Sequence, residues 1–552
     1  MQENKPNNVQ LRSDSESLGK ASFGAMAGVI FSRASGVVRT AVVNATFGLN
    51  VSLDAFNTAF RFPNSLRDLF ADGALSAAFV KVLIEEKAKG LEAEKKLIQV
   101  VLGFFSVVTF SIAILAALFA NPFISLFASQ QFEKSGGLEL AANLFKILAF
   151  FLPFTMLNAV AMAILSTLGN TFRAMNSSLF FNFGMIISAL CSPLMLLVNI
   201  NPIYAIAIGA LLGVFLQLIY QFLPLYKLGL INIPSFNIKV WLSYCPLRQV
   251  LLLMVPRTIA QGALIIALMI NTFFAIQLGE GIFSYIITAT VIIQVPIGLF
   301  GVATGFAAHP ILTKAIFEGQ NRKFSKLLIE SLETTLWLSL VTLICFSLLI
   351  VPFYSVLFQH GKVSMFDTLQ NSIAVCSYSI GIIFAAGTKV LLNAYYAINC
   401  TKQIVYNAII YLIVNALLTS TLAPKFGIIG LGISYSTATA IDFFMNLLFL
   451  KWYYQNKFIG DSPYIEGGKY FYIRIIIFAV LSYVIGFLGV FLIFEFWKNF
   501  DMFFSFKLNF INNLLILGTG GMLILIMSLL LILKFGPTNL KNLVYKIFKK
   551  LK

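Results

Sequence analysis

Residues 32–80 read SRASGVVRTAVVNATFGLNVSLDAFNTAFRFPNSLRDLFADGALSAAFV. Two apolar runs meet at Gly48-Leu49-Asn50, and each carries arginines: Arg33 and Arg39 in the first, Arg61 and Arg67 in the second. A cation at the bilayer centre costs about 2.5–3.5 kcal/mol on insertion scales, so an arginine within a span must face water, a partner or a ligand. The rest of the chain decides that these runs are spans. It has 552 residues, 59% hydrophobic and only 11% charged, with a mean hydropathy of +0.89. Soluble domains average about 25% charged residues. The composition therefore excludes a water-soluble enzyme and any disordered or fibrous class.

Apolar stretches of helix-spanning length, about 20 residues each, recur from end to end. Fourteen are legible, at roughly 20–47, 54–84, 98–120, 142–165, 178–197, 203–224, 249–277, 283–312, 330–353, 370–397, 403–423, 427–450, 471–494 and 510–533. All are expected to be helical, because backbone groups in hydrocarbon must be satisfied within the segment. The expected fold is an all-α membrane protein of fourteen transmembrane helices. Its parts are a cytoplasmic tail (1–19), an N-lobe (20–226), a C-lobe (227–451), two accessory helices (452–535) and a basic cytoplasmic tail (536–552). The polar first 19 residues predict no cleavable signal, so the first span would direct its own insertion.

Lysine and arginine divide sharply between alternate loops. With both termini inside, 25 fall on the inner side, and only Lys134, Lys362, Lys425, Lys498 and Lys507 fall outside. This bias sets a multi-pass orientation with both termini cytoplasmic. The net charge of +17 is thus explained by membrane lipids and ligand and not by nucleic acid. The lysine-rich end, KFGPTNLKNLVYKIFKKLK to Lys552, reads either as an amphipathic helix on the anionic inner leaflet or as a polar terminus obeying the inside rule.

A repeat underlies the two lobes. ILSTLGNTFRAMNSSLFFN, ending at Asn182, resembles VLLNAYYAINCTKQIVYN, ending at Asn407, 225 residues later. FRFPNSL around Pro63 and GALSAAF from Gly73 have counterparts around Pro296 and from Gly305 at nearly the same shift. An even number of helices intervenes, so the six-helix copies share orientation about an axis along the membrane normal, a common plan of alternating-access transporters.

Nine cations remain inside or beside spans: Arg33, Arg39, Arg61, Arg67, Lys81, Lys146, Arg257, Lys389 and Arg474. The acids available to neutralise them are few, namely Asp54, Asp68, Asp72 and Asp442. Surplus positive charge in a wet cavity implies an anionic ligand. Arginine sharpens this, since its planar fork takes phosphate oxygens bidentately and never deprotonates. Arg33 and Arg257 are the leading candidates, the latter directly after Pro256, where a broken helix would free carbonyls. Arg39 and Arg67 either bind ligand or clamp Asp54, Asp68 or Asp72. Lys81 and Arg474 are expected to snorkel to the inner interface, and Lys146 and Lys389 face either the cavity or solvent. Small residues at Gly298, Gly301 and Gly305 suit helix packing. The five cysteines are isolated and His309 and His360 are the only histidines, leaving no metal-ligand or redox spacing. There is no nucleotide-binding phosphate loop, so ATP is not the direct energy source.

The opening block, with VPRTIAQG (Val255–Gly262), VPIGLFGVA (Val295–Ala303), LFQHGK (Leu357–Lys362) and Tyr378–Lys402, resembles the MurJ (MviN) family of bacterial lipid II flippases across about residues 20–450. The resemblance implies the fold of the multidrug/oligosaccharidyl-lipid/polysaccharide exporters. It implies transport, not catalysis: lipid II, an undecaprenyl-diphosphate-linked peptidoglycan precursor, moves from inner to outer leaflet by alternating access. It carries substrate-binding roles to Arg33, Arg39, Asp54, Arg67 and Arg257, and the cavity reading adds Arg61 and Lys389. No cofactor is implied beyond an unassigned coupling cation or the membrane potential. A monomer working beside cell-wall synthesis partners is expected. The chain departs from the family pattern at Thr290, Val291 and Gln294, at Lys81, and at Asn271, where some members have an aspartate thought to help bind sodium. A flippase for another polyprenyl-diphosphate glycan and an ion-coupled multidrug antiporter are the alternatives.

Overall fold

The computed structural model describes residue 28 and residues 31–69, 75–398, 400–457, 468–498, 510–535 and 541. Among them there is no β-strand. The helices of the first half are α1 (31–47), α2 (Val51–Leu69), α3 (Leu75–Lys89), α4 (Leu91–Leu118), α5 (Ala120–Ser125), α6 (Gln130–Lys134), α7 (Gly137–Leu148), α8 (Phe151–Thr167), α9 (Thr171–Asn176), α10 (Ser178–Leu190) and α11 (Tyr204–Lys227). The second half adds α12 (Ile238–Ser243), α13 (Cys245–Gln277), α14 (Ile282–Pro296), α15 (Ala303–Phe317), α16 (Asn321–Phe358), α17 (Met365–Ser379), α18 (Ile382–Ala397), α19 (Thr401–Lys457), α20 (Gly468–Lys498) and α21 (Phe510–Phe535).

Eight stretches among the described residues are long and apolar enough to cross a bilayer, and two sharply bent pairs bring the number to ten. One of the eight, Lys402–Tyr453, has 52 residues. Straight, it would measure about 78 Å at 1.5 Å per residue, far beyond a hydrocarbon core of about 30 Å. Gly427 resolves this, since its φ of 57° and ψ of −130° are not helical. A Cβ on Gly430 would run into the Leu422 carbonyl oxygen, so the chain doubles back there. Asn407 and Asn446, nearly equidistant from Gly427 along the chain, are hydrogen-bonded at 2.9 Å across the resulting hairpin. α19 is thus the expected eleventh and twelfth spans.

One expectation about a local break changes. Within the second span, read as one run over 54–84, the described residues belong to α2 and α3. The helix α13 runs through residue 256 without the expected break, because a proline removes only one backbone donor and neighbours can re-satisfy the carbonyl.

The chain forms two compact units. The first comprises residues up to Arg39, Thr58–Ile124 and Glu139–Gln261, and the second comprises Thr40–Asn57, Ser125–Leu138 and Gly262 onward. In the first, Leu75, Phe79, Val82 and Leu83 of α3 pack with Leu97 and Val101 of α4 and with Val160 and Ile164 of α8, all at zero exposure. Here α10 and α11 approach through glycines: a Cβ on Gly184 would sit 2.6 Å from the Gly213 Cα. Small residues permit such backbone proximity where lipid supplies no hydrophobic drive. The second unit has its own core, built on Leu312, Phe324, Phe384, Leu391, Tyr395 and Phe443. Gly301 and Gly305 serve packing as expected, since a Cβ on Gly301 would sit 2.7 Å from the Ala386 Cα and one on Gly305 would run into the Asn393 side-chain amide. The unmatched apolar surface of α11, including Leu212, Phe215, Leu216 and Leu223, is exposed, as a lipid-facing helix requires.

Candidate functional site

In the first unit, Ser32, Ser35, Gly36 and Arg39 recur at the i, i+3, i+4, i+7 spacing of one helical face. That face of α1 meets Ser178, Phe181 and Asn182 of α10. The Ser178 hydroxyl donates to Ser32 Oγ at 2.7 Å, and the Asn182 amide donates to Ser35 Oγ at 2.7 Å. Arg39 Nη1 donates to Asn182 Oδ1 at 3.1 Å, and its guanidinium carbon lies 5.5 Å from the Phe181 ring centroid. Arg39 also lies within electrostatic reach of Arg67. Two like charges in a medium of reduced dielectric repel each other. Arg61 and Arg67, on α2, are half-buried, while Arg33 on α1 is exposed. Phe60, beside Arg61, is wedged between Phe151 at 5.1 Å and Phe181 at 6.0 Å, which fixes this part of α2. The side chains of Arg257 and Asp68, and Asp72 altogether, lie outside the described residues.

Asp54 is placed differently. Its carboxylate accepts from the Gly281 N–H at 2.6 Å, the Ser284 N–H at 2.8 Å and the Ser284 hydroxyl at 2.6 Å. These donors are the N-terminus of α14, the partially positive end of a helix. Gly281 has a φ of 77°, and a Cβ there would meet the Leu49 carbonyl oxygen at 2.7 Å, so only glycine fits. Around this cap, Asn57 donates to Ser284 Oγ and Asn44 to Thr288 Oγ1, each at 2.9 Å. The Lys362 N–H donates to the Ala45 carbonyl at 2.8 Å. Tyr285 donates to Asp367 at 2.6 Å, and Asp367 in turn closes a capping box with Ser364. Within the second unit, the 40–57 segment is therefore latched to α14 and to the 360–367 turn.

Deeper in the second unit, Asn271 Oδ1 accepts from Asn415 Nδ2 and Thr419 Oγ1, both at 3.0 Å. The donor set there is neutral, and two hydrogen bonds already use the Asn271 oxygen. No group of three His, Cys, Asp or Glu suited to a metal exists among the described residues. These residues do not fit a carboxylate-based cation site. Asp442 is half-buried and accepts from Asn446 at 2.9 Å, with the exposed Lys389 acting on it electrostatically. Lys146 is exposed and donates to Asn143, and Arg474 pairs with Glu333 at 3.1 Å. Lys81 is exposed and Val291 half-buried.

The neutral partners Asn182, Asn44, Thr288, Tyr285, Asn415 and Thr419 were not singled out from sequence as site residues. Only Asn182 had a signal there, as the end of the repeated junction.

A family model described as "Lipid II flippase MurJ" matches residues 43–510. A probable lipid II flippase MurJ of Buchnera aphidicola subsp. Schizaphis graminum is 31% identical over 430 residues, covering 77% of this chain and 81% of the relative. That of Vibrio cholerae serotype O1 is 30% identical, covering 76% and 80%. Among solved structures, a lipid II flippase MurJ in an inward closed conformation aligns with a TM-score of 0.65 at 24% identity, over 87% of this chain and 99% of the other. An inward-facing MATE family multidrug transporter aligns at the same TM-score with 15% identity, over 79% and 96%. Both structural likenesses speak to the fold.

Proposed function

Since the chain belongs to the lipid II flippase MurJ family, we infer that it carries lipid II from the inner to the outer leaflet of the bacterial cytoplasmic membrane. It is a multi-pass transporter, and no bond-making step is assigned to it. The observation that carries this reading is the match over residues 43–510, which includes the helices bearing Arg61 and Arg67. We place the diphosphate on the guanidinium groups of Arg33, Arg39, Arg61 and Arg67, with Arg257 as a further cationic contact. Arginine suits this task because a diphosphate offers several oxygens to bidentate forks. The arginines have to desolvate the headgroup and still release it, so binding of moderate strength is required. In alternating access, opening to the outer side has to break the bonds that tie Asp54 and Asn44 to α14 and Ala45 to the 360–367 turn. Asp54 then acts through the latch and not by touching substrate.

Both termini are cytoplasmic in this reading, the chain works as a monomer, and two six-helix lobes with two accessory helices carry the cycle. The membrane potential, acting on an anionic headgroup, supplies bias without a bound cation at Asn271. A multidrug antiporter would need carboxylates open to organic cations. Asp54 and Asp367, by contrast, are occupied by helix N-termini. A flippase for another polyprenyl-diphosphate glycan would use the same arginine chemistry. Rescue of a strain depleted of its lipid II flippase decides between them. The unmodified chain should restore growth, and membrane-inserted protein that fails to rescue would overturn the reading.

A further inference from the structure

We propose that Asn182 is the positioning residue of Arg39, holding its guanidinium in one orientation for an incoming phosphate group; this rests on the flippase reading. Asn182 is only 4% exposed, and its side chain is committed on both sides. Its oxygen takes Arg39 Nη1, and its amide nitrogen donates to Ser35 Oγ and, at 3.4 Å, to the Ser32 carbonyl. An asparagine held by donation on one side presents a fixed acceptor on the other. The Phe181 ring supplies a second restraint through a cation–π contact. One hydrogen bond among the described residues leaves four of the five guanidinium N–H donors for a ligand. The partner is neutral, so Arg39 keeps its full charge for an anion, which a carboxylate in the same place would cancel.

The counterpart position in the repeat has no such task. Asn407, 225 residues after Asn182, accepts from Gln403 and donates to Asn446 Oδ1, both at 2.9 Å, so its partners among the described residues are neutral and the contact to a guanidinium belongs to Asn182.

The test uses the full chain in nanodiscs, measuring lipid II affinity and unfolding midpoint for Asn182→Ala, Asn182→Asp, Arg39→Ala and the double variants. Asn182→Ala should weaken binding about tenfold, the scale of one charge-assisted hydrogen bond. Asn182→Asp should weaken it further by capturing Arg39 in an ion pair, with an unfolding midpoint no lower than that of Asn182→Ala. In the Arg39→Ala background neither change should cost more than about twofold. Equal losses with and without Arg39 would make Asn182 a packing residue and overturn the proposal, as would unchanged affinity in Asn182→Ala. Failure of the unmodified chain to bind lipid II would instead strike the flippase reading, and is seen before any variant is compared.

Discussion

At the scale of single residues, charge was the legible signal and neutral polarity was not. An arginine or aspartate inside an apolar run carries a cost that demands an explanation, so Arg39, Arg67 and Asp54 stood out in the sequence. Asparagine, serine and threonine are cheap in a span, and the repeated junction that ends at Asn182 gives no sign that this residue holds Arg39. Asp54 illustrates the opposite failure, because its charge was visible but its partner was not: backbone N–H groups of α14 leave no sequence mark. Replacing it tests its role. Asp54→Asn removes one carboxylate oxygen and leaves a backbone N–H of the α14 terminus without an acceptor, a cost of about 1–3 kcal/mol. The unfolding midpoint should fall by a few degrees while lipid II affinity stays within about twofold. A large affinity loss at unchanged stability would return Asp54 to the substrate contacts. Asn271→Asp asks a complementary question. With a carboxylate beside Asn415 and Thr419, unfolding should become sodium-dependent, whereas the unmodified chain should show no sodium response. A sodium response in the unmodified chain would refute the neutral reading of this cluster.

At the scale of elements, apolar run length located most helices, because each backbone in hydrocarbon has to close its own hydrogen bonds. Where the chain turns was legible at α19, whose hairpin hinges on Gly427 with non-helical angles, in the gap expected between the runs 403–423 and 427–450. Pro256 misled, a strong breaker signal inside a helix that continues. Glycine contacts are the element-scale feature with the clearest consequence. A Cβ on Gly213 would stand 2.8 Å from the Phe181 carbonyl oxygen and 2.9 Å from its Cα. Backbone cannot yield as a flexible side chain does, so Gly213→Leu has to push α10 and α11 apart. Overpacking of this kind costs about 1–3 kcal/mol, and a midpoint several degrees lower is expected. Because α10 also carries Asn182, lipid II affinity should fall with it. Retained stability and affinity together would mean that the helices separate without disturbing Arg39.

At the scale of the whole molecule, the strongest sequence argument is the asymmetry of charge, and it yields a test independent of any substrate. Lysine and arginine retained on the inner side fix which loops cross and which do not. Residue 134 closes α6 and residue 362 lies between α16 and α17, while residue 323 begins α16. On the inside-termini reading the first two face out and the third faces in. Replacing Lys134, Lys362 or Lys323 singly by cysteine, in a chain whose own cysteines are removed because Cys191 and Cys245 are exposed, places a thiol at each position. A membrane-impermeant maleimide added to intact cells should label residues 134 and 362, and should reach residue 323 only after the membrane is opened. Lys362 adds a second arm, since its backbone N–H is bonded to Ala45 within the latch that holds the 40–57 segment. Labelling at 362 should accelerate when the latch is loosened by Asp54→Asn, and labelling at 134 should not. Inverted labelling at all three positions would reverse the chain in the membrane and put the latch at the cytoplasmic entrance. Matching rates at 362 with and without Asp54 would separate the latch from any outward opening.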